Sequence, residues 1–471
     1  MEKALFEMLR EYSAGGALPM HMPGHKRNVE NDAYLSGLGG ALDLTEIDGF
    51  SNLHDPEGML SEKMAEAAAL WGSRRAWWLI GGSTAGLLAG VFACCQPGDT
   101  VLMARNCHKA VYHAMLLRGV RVRFLAPDPC PDLDACGKIA PETLETAFRD
   151  NPHAGLVVVT SPTYEGVSSD LPALAEVTHR HGAKLLVDSA HGAHLGFSDF
   201  FGAGAVQSGV DLVVQSLHKT LPSLTQTGLL HVCSDRVDCA EVGFWLNVFE
   251  TSSPSYLLMA SIDGCVRLLR EQGEQRFSRW QQALERFQTE TAALRHLTFP
   301  LRGLPDTDPG KIVISTRGTN CTGPELMDRL RREYQIELEM SAPTYALAMT
   351  GLGDTPETLH RLAAALTEID DSLSDGNETV LPALPIPKRT MELYEAERCP
   401  WETVPLAETA GRVAGDFLWA YPPGIPLIAP GEEIPPELPA WIAAARAAGT
   451  ALHTARQTKT GFFRVLTGKG S

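Results

Sequence analysis

Short apolar runs alternate with amphipathic runs between about residues 60 and 275 of the chain. The apolar runs predict strands at 76–80, 100–104, 120–125, 156–161, 184–188, 212–215 and 228–232. The amphipathic runs predict helices at 86–95, 109–118 and 171–181. Strands separated by helices in this way are typical of βαβ units, so we predict a mostly parallel sheet buried on both faces.

The pattern outside this region predicts the rest of the domain organisation. A short helix at about 3–12 opens an N-terminal arm, and a long amphipathic helix at about 255–295 closes the large domain. A smaller α/β unit follows, and a linker rich in Pro, Ser and Asp at 371–387 precedes a C-terminal α+β unit. We therefore predict an α/β protein with an arm, a large domain, a small domain and a C-terminal domain at 1–40, 41–285, 286–375 and 376–471.

Composition and charge limit the kinds of molecule that the protein can bind. The chain of 471 residues has 40 Lys and Arg against 57 Asp and Glu, a net charge of −17. Such a balance argues against nucleic acids and anionic membrane surfaces as partners. No apolar run is long enough to span a membrane, no signal peptide is recognisable, and the 10 cysteines lack metal or disulfide spacing. These features predict a cytoplasmic protein, and the negative charge permits a cationic substrate without demonstrating one.

The segment Gly81–Gly86, with the sequence GGSTAG, lies between a predicted strand and a predicted helix. Its glycines let backbone N–H groups approach an anion, Ser83 and Thr84 add hydroxyl donors, and the helix adds its positive N-terminus. The segment lacks the spacing of a Walker A loop or of a dinucleotide fingerprint. A plain tight turn with a Ser or Thr cap is the alternative interpretation.

Two neighbouring predicted strands end in residues that carry charge. Asp188 ends one of them, and a buried carboxylate there needs a partner, either a protonated ring nitrogen or the N–H groups of a loop that it caps. Lys219 follows the other, between Ser216 and Thr220. Burial would make its amine nucleophilic, as Schiff-base chemistry requires, whereas a solvated charge at the end of a strand is the alternative.

Three histidines lie near these strand ends. His108 follows the predicted strand at 100–104, where its ring could stack on an aromatic group or begin a helix. His191 and His194 follow Asp188 as possible ligands or bases, with a structural hydrogen bond favoured for His194. An anion cradle, an acid and a lysine, in that order, together with a stacking ring, match the requirements of pyridoxal phosphate.

The chain resembles the pyridoxal-phosphate-dependent ornithine/lysine/arginine decarboxylases of the aspartate-aminotransferase fold, fold type I. It resembles their short form, without an N-terminal wing domain. The matching segments stand in the family order at 22–28, 43–58, 81–86, 105–110, 161–166, 188–197, 216–228, 251–263 and 422–432. The pair DSAHGAHLGF at 188–197 and SLHKTLPSLTQTG at 216–228 is the most specific match.

The resemblance implies a role for each matched residue. Lys219 would form the Schiff base with the cofactor, Asp188 would pair with its pyridine nitrogen, and His108 would stack on its ring. The other cofactor contacts would be Ser83, Thr84, Ser216 and His218 at the phosphate and Ala190 and His191 at the ring edge. No metal is implied. A homodimer or a larger even assembly is implied, with the arm and residues 43–58 at its interface.

The implied reaction is decarboxylation of a basic L-amino acid to CO2 and a polyamine-pathway amine. Arginine is the first expectation, and lysine or ornithine the next. Lys219 or His218 would return the proton to the α-carbon. The acid that binds the distal positive charge is expected among Glu46, Asp48 and Glu432.

Three other functions remain open from the sequence. The first is another reaction on the same fold, such as that of an aminotransferase or a lyase. The second is a catalytically silent regulatory homologue, against which the presence of Lys219, Asp188 and His108 argues. The third is a metalloenzyme that uses His21, His25, His191 and His194.

Overall fold

A computed structural model describes residues 3–28, 33–130, 133–376, 385–420, 424–447 and 449–468. Two sequence features extend beyond this range: the middle of the predicted linker, 377–384, and the first two prolines of the segment at 422–432. All the candidate site residues lie within it.

The described residues form helices and strands in an alternating order over most of the chain. The helices are α1 Leu5–Ala14, α2 Ala33–Gly37, α3 Gly58–Trp71, α4 Gly82–Cys94, α5 Lys109–Arg118, α6 Pro141–Asp150, α7 Leu171–Arg180, α8 Leu217–Thr220, α9 Cys239–Phe249, α10 Tyr256–Glu290, α11 Gly323–Tyr334, α12 Pro356–Ser372, α13 Leu393–Ala396 and α14 Leu438–Ala447. The strands are β1 Arg75–Leu79, β2 Thr100–Ala104, β3 Arg121–Leu125, β4 Leu156–Thr160, β5 Lys184–Asp188, β6 Leu212–Ser216, β7 Gly228–Val232, β8 Lys311–Ser315, β9 Met340–Ala342, β10 Tyr345–Met349, β11 Trp401–Pro405, β12 Leu418–Ala420, β13 Ile425–Ile428, β14 Leu452–Thr454 and β15 Phe462–Leu466. None of these helices is both long enough and apolar enough to cross a membrane.

The large sheet has seven strands in the order β1-β7-β6-β5-β4-β2-β3. Strand β2 runs parallel to β3 and β4, and β5 runs parallel to β6. Among the strand pairs described for this sheet, the antiparallel ones are β1 with β7 and β6 with β7. The predicted α/β class with a mostly parallel sheet is therefore confirmed.

The bounds of several predicted elements agree with the structure, and one differs in an informative way. Strands β2, β5 and β7 and helix α5 have the predicted bounds. Helix α4 begins at Gly82, four residues earlier than predicted. The Gly, Ser and Thr residues of its first turn have low helix propensity, so the hydrophobic pattern becomes visible only from Gly86 onwards. Ser83 and Thr84 therefore lie in the first turn of a helix, where backbone N–H groups are unpaired.

Residue contacts divide the chain into two compact units, each built from separate segments. The first unit comprises Met1–Cys94, Lys184–Ser278 and Gly351–Gly353, and the second comprises Cys95–Ala183, Arg279–Thr350 and Asp354–Ser471. The four-part division expected from composition stays a prediction.

Two glycines bring α4 close to the sheet of the first unit. A Cβ atom on Gly86 would lie 2.6 Å from Leu79 Cδ1 and 3.0 Å from Val214 Cγ1, closer than side chains pack. A Cβ atom on Gly90 would lie 2.7 Å from Leu186 Cδ1. The absence of side chains at these positions lets the helix lie directly on β1, β5 and β6. As a result, its N-terminus is held where β1 ends.

A buried ion pair connects three helices of the first unit. The Lys63 ammonium on α3 lies 3.0 Å from Asp263 Oδ1 on α10, and both side chains are almost fully buried. The other oxygen of Asp263 accepts a hydrogen bond of 2.7 Å from the backbone N–H of Leu5, at the start of α1. Asp263 thus holds both α1 and α3 on α10.

We expect the substitution Asp263→Ala to destabilise the protein strongly. It leaves the Lys63 ammonium buried without its partner, and breaking one side of a buried pair costs about 3–5 kcal/mol. The free energy of unfolding, measured by urea denaturation, should fall by this amount. The matched control is Arg267→Ala on the same helix, which removes a partly exposed i,i+4 pair with Glu271. Equal stability of the two variants would contradict this role of Asp263.

Candidate active site

The lysine and the acid predicted at the strand ends lie at the same edge of the sheet, in the first unit. Strands β5 and β6 are parallel neighbours, with Asp188 opposite Val214. Strand β5 ends at Asp188, and β6 ends at Ser216, directly before α8. Lys219 lies on α8, within one turn of the strand end. The carboxyl ends of parallel strands are where α/β proteins bind their ligands.

Asp188 is a buried carboxylate with few partners of its own. Only 2% of its surface is exposed, and Oδ1 accepts a hydrogen bond of 3.2 Å from the Ala190 N–H. Burial raises the pKa of Asp188, while the positive charge of Lys219 and the Ala190 N–H lower it in part. Because burial penalises the charged form, a cation held against this carboxylate would stabilise it.

The Lys219 amine contacts a histidine from the loop after β5. Its Nζ lies 2.9 Å from His191 Nε2, and His191 is buried. The structure thus brings Lys219, Asp188 and His191 together in one unit. The family resemblance implies that His191 lies at the edge of the cofactor ring, and it does not connect this histidine with the lysine. The contact joins loops that follow different strands, and no local pattern in the sequence signals it.

The geometry of His218 fixes which ring nitrogen carries the proton. Nδ1 lies 2.9 Å from the Thr227 carbonyl oxygen, which can only accept, so Nδ1–H donates. Burial lowers the pKa of His218, and the Lys219 charge lowers it further, although the Thr227 carbonyl opposes this. The ring is therefore neutral near pH 7, with a bare lone pair on Nε2.

An anion site is available at the N-terminus of α4, at the end of β1. Gly82 has a positive φ of 72°, and the first turn holds Ser83, half-buried, and Thr84, exposed. Ser216 ends β6, a strand that packs against α4. It is 1% exposed, and its Oγ has no hydrogen-bond partner among the described residues. A buried hydroxyl without a partner is costly unless a ligand satisfies it.

These residues fit pyridoxal phosphate. The N-terminus of α4 and the Ser216 hydroxyl would hold the phosphate. Asp188 would hold the ring nitrogen, and the Lys219 amine is available for covalent attachment. The fit rests on a helix N-terminus, an unpartnered hydroxyl and a buried carboxylate that gains from a cation, all in one unit.

His108 lies in the second unit, where it begins α5. Its ring Nδ1 accepts a hydrogen bond of 3.2 Å from the Ala110 N–H, which makes it the N-cap of that helix. The ring is half-buried. His108 therefore stands at a helix N-terminus, as one of its two interpretations from the sequence predicted. Its stacking on the cofactor ring stays a prediction.

The three acids proposed for the distal charge of the substrate have different environments. Glu46 is partly buried, and its Oε1 has no hydrogen-bond partner among the described residues, whereas Asp48 is exposed. Glu432, in the second unit, is fully buried, and its Oε2 accepts from Arg105 at 3.1 Å and from the Ala429 N–H at 2.8 Å. Glu432 therefore already neutralises a cation of the protein itself.

Within the described residues, no group of three or more His, Cys, Asp or Glu side chains is arranged to hold a metal ion. His25 is one of the histidines considered for such a site, and its Nε2 lies 3.3 Å from Asp43 Oδ2. His191 contacts Lys219.

Fold and site together define a pyridoxal-phosphate-dependent enzyme of fold type I. Over residues 3–299 the chain matches the family model for the major domain of Orn/Lys/Arg decarboxylases, and over 386–452 the model for their C-terminal domain. The chain belongs to the Orn/Lys/Arg decarboxylase family, so it is an amino acid decarboxylase, a carboxy-lyase that depends on pyridoxal phosphate. The resemblance noted in the sequence is thereby confirmed.

Known proteins show how close this similarity is. The chain is 32% identical over 447 residues to the arginine decarboxylase of Bacillus anthracis, covering 92% of this chain and 91% of that protein. The crystal structure of the Francisella novicida lysine decarboxylase superimposes with a TM-score of 0.85 at 20% identity, covering 98% of this chain and 81% of that one. A pyridoxamine-pyruvate aminotransferase from Mesorhizobium loti reaches a TM-score of 0.55 at 17% identity, covering 72% and 89%. The fold alone is thus shared with aminotransferases, and the family match identifies the decarboxylase.

Proposed function

We propose that the enzyme decarboxylates L-arginine to the corresponding amine and CO2, with lysine and ornithine as weaker substrates. The buried Asp188 carboxylate at the end of β5 and the Lys219 amine on α8, directly after β6, support the chemistry. The choice of arginine is supported by curated relatives at 30–32% identity over most of the chain, which are named arginine decarboxylase.

Each site residue has a distinct task in this proposal. The cofactor, when bound, supplies an electron sink for the electron pair that remains when the substrate carboxylate leaves. Asp188 holds a proton on the ring nitrogen through its opposite charge. Ser83, Thr84 and Ser216 bind the phosphate, Ala190 and His191 line the ring edge, and His108 stacks on the ring.

We assign the proton that is returned to the α-carbon to Lys219 rather than to His218. The Nδ1–H of His218 is engaged by the Thr227 carbonyl, and its Nε2 carries no proton in the neutral ring. The Lys219 ammonium has protons to give, and His191 at 2.9 Å can hold its position through the hydrogen bond. His218 then keeps only the role of a phosphate contact that the family resemblance implies.

Glu46 is our candidate for the acid that binds the guanidinium of the substrate. It has a buried carboxylate oxygen without a partner, whereas Glu432 is already paired with Arg105 and Asp48 faces solvent. We expect Glu46→Gln to raise KM for arginine by about 10–100-fold with kcat nearly unchanged, because a hydrogen bond to a charged group contributes about 1.5–3 kcal/mol. Steady-state kinetics measure both constants.

The matched control for Glu46 is Asp48→Asn in the same segment, which should leave KM unchanged. Norleucine, which lacks the distal charge, should be used equally poorly by the wild type and by Glu46→Gln. An unchanged KM for arginine in Glu46→Gln would place the distal site elsewhere.

The function itself is tested with a panel of L-amino acids. The purified holoenzyme is given arginine, lysine, ornithine, norleucine and alanine, and CO2 release and the amine product are measured for each. The highest kcat/KM with arginine is expected. Transamination of an added keto acid without CO2 release would favour the aminotransferase alternative, and no turnover with any amino acid would favour a silent homologue.

We also propose a homodimer, or a larger even assembly, in the cytoplasm, with a role in polyamine biosynthesis. Large apolar side chains of the arm are 66–81% exposed, which suits burial against a second copy: Leu18, Met20, Met22, Tyr34 and Leu38. No disulfide joins any of the cysteines, as a reducing compartment would require. Sedimentation of the holoenzyme at several concentrations tests the assembly.

A further inference from the structure

A buried carboxylic acid lies beside the loop assigned to the cofactor phosphate, where none of the sequence motifs predicts an acid. Glu250 follows α9 and is 8% exposed. A Cβ atom on Gly81 would lie only 3.0 Å from Glu250 Oε2, so the carboxyl group points at the chain directly before α4. Neither oxygen has a hydrogen-bond partner among the described residues.

This position is unfavourable for a charged carboxylate. Burial raises the pKa of Glu250 to about 7, and the nearby N–H groups of Ile80 and Gly81 lower it only in part. A phosphate anion at the N-terminus of α4 would add like-charge repulsion, which raises the pKa further. A protonated carboxyl group, by contrast, can donate its O–H to a phosphate oxygen.

Few titratable or charged side chains face Glu250 from the elements around it. Helix α4 carries only Cys94, at its far end, and β1 carries only Arg75, at its opposite end. His54 reaches the next residue, where its Nε2 lies 2.8 Å from the Thr251 carbonyl oxygen. The pKa of Glu250 is raised by burial, with no contribution from another charged side chain.

We propose that Glu250 is a cofactor-binding residue at the phosphate site, and that its carboxyl group must be protonated for the phosphate to bind, so that cofactor binding takes up a proton. The inference rests on the assignment of Gly81–Gly86 to the cofactor phosphate. It adds a residue that neither the sequence motifs nor the family match assigns to the cofactor. Its consequence is that affinity for pyridoxal phosphate falls above pH 7, whereas affinity for a phosphate-free analogue does not fall for this reason.

The test compares cofactor affinity in the wild type and in Glu250→Gln, a neutral variant of the same shape. The apoenzymes are titrated with pyridoxal phosphate from pH 6 to pH 8.5, and the dissociation constant is read from the absorbance of the bound cofactor. We expect equal affinities at pH 6. About one pH unit above the pKa of Glu250, the variant should bind about 10-fold more tightly than the wild type, because the wild type must first take up a proton.

Three comparisons make the result decisive. With pyridoxal, which lacks the phosphate, the difference between the variant and the wild type should vanish. The control Glu241→Gln changes an exposed acid on α9, the helix that Glu250 follows, and should follow the wild type at every pH. Proton uptake by the wild type at pH 7.5, obtained from calorimetry in buffers of different ionisation enthalpy, should be larger with pyridoxal phosphate than with pyridoxal, and this measurement needs no variant.

Parallel pH curves for the wild type and Glu250→Gln, or equal proton uptake with the two ligands, would overturn the role of Glu250. If the wild type binds no pyridoxal phosphate at any pH, the assignment of the cofactor site fails instead. The two failures are therefore distinguishable.

Discussion

The variant Lys219→Ala will bind no cofactor covalently and will lose decarboxylation by at least about 10²–10⁴-fold, the contribution of a positioned proton donor alone. This substitution removes the amine on α8, directly after β6, whose Nζ lies 2.9 Å from His191 Nε2. Absorbance near the edge of the visible range, which comes from the lysine-bound cofactor, will be missing after desalting. Borohydride reduction followed by mass spectrometry will find the cofactor on a peptide containing Lys219 in the wild type and on no peptide in the variant.

Lys184→Ala is the matched control for this experiment. Lys184 begins β5 and is half-buried, but it lies at the other end of the strand from Asp188. Its variant should keep both the absorbance and the turnover. Retained absorbance in Lys219→Ala would show that another group binds the cofactor.

The second large effect is expected from the substitution Asp188→Ala. The variant should still bind the cofactor, but its kcat should fall by about 10²–10³-fold, which is the usual cost of removing one preorganised electrostatic group. The physical reason is the loss of the charge that keeps a proton on the ring nitrogen. Cofactor content, from absorbance, and kcat, from CO2 release, separate binding from turnover.

Asp188→Asn separates charge from packing at this position. The amide keeps an oxygen that can accept the Ala190 N–H, but it has no negative charge. Its kcat should be as low as that of Asp188→Ala, while its melting temperature stays closer to that of the wild type. Turnover equal to the wild type in either variant would refute the role of Asp188.

Local patterns were sufficient to predict the elements of the sheet. Strand β2 is a short apolar run, so the sequence shows where it begins and ends. The end of helix α5 is equally visible, because its last residue, Arg118, stands directly before Gly119. Helix α3 was missed, since its many alanines give little contrast between a buried and an exposed face. The order of the strands depends on contacts that are distant in sequence, and no local pattern shows them.

The candidate site was predictable to the extent that it follows strand ends. Asp188 and Lys219 stand out because charged residues directly after buried strands require an explanation. The contact between Lys219 and His191 depends on how two loops fold. The position of Glu250 depends on α9 packing against α4, so in the sequence it is simply an acid directly before the matched segment at 251–263.

The pairing of β1 has a consequence for synthesis of the protein on the ribosome. Its strand partner is β7, and the register joins Arg75 to Val232. At roughly 5–20 residues per second, the nascent chain waits roughly 8–30 s after β1 has been made before β7 exists. During this time β1 has no strand partner, and Trp77 and Trp78, both buried in the folded protein, lack their cross-strand neighbours on β7. Slow folding with exposed apolar segments promotes aggregation, so the yield of folded enzyme in a foreign host should rise when translation is slowed by cooling or when chaperones are co-expressed.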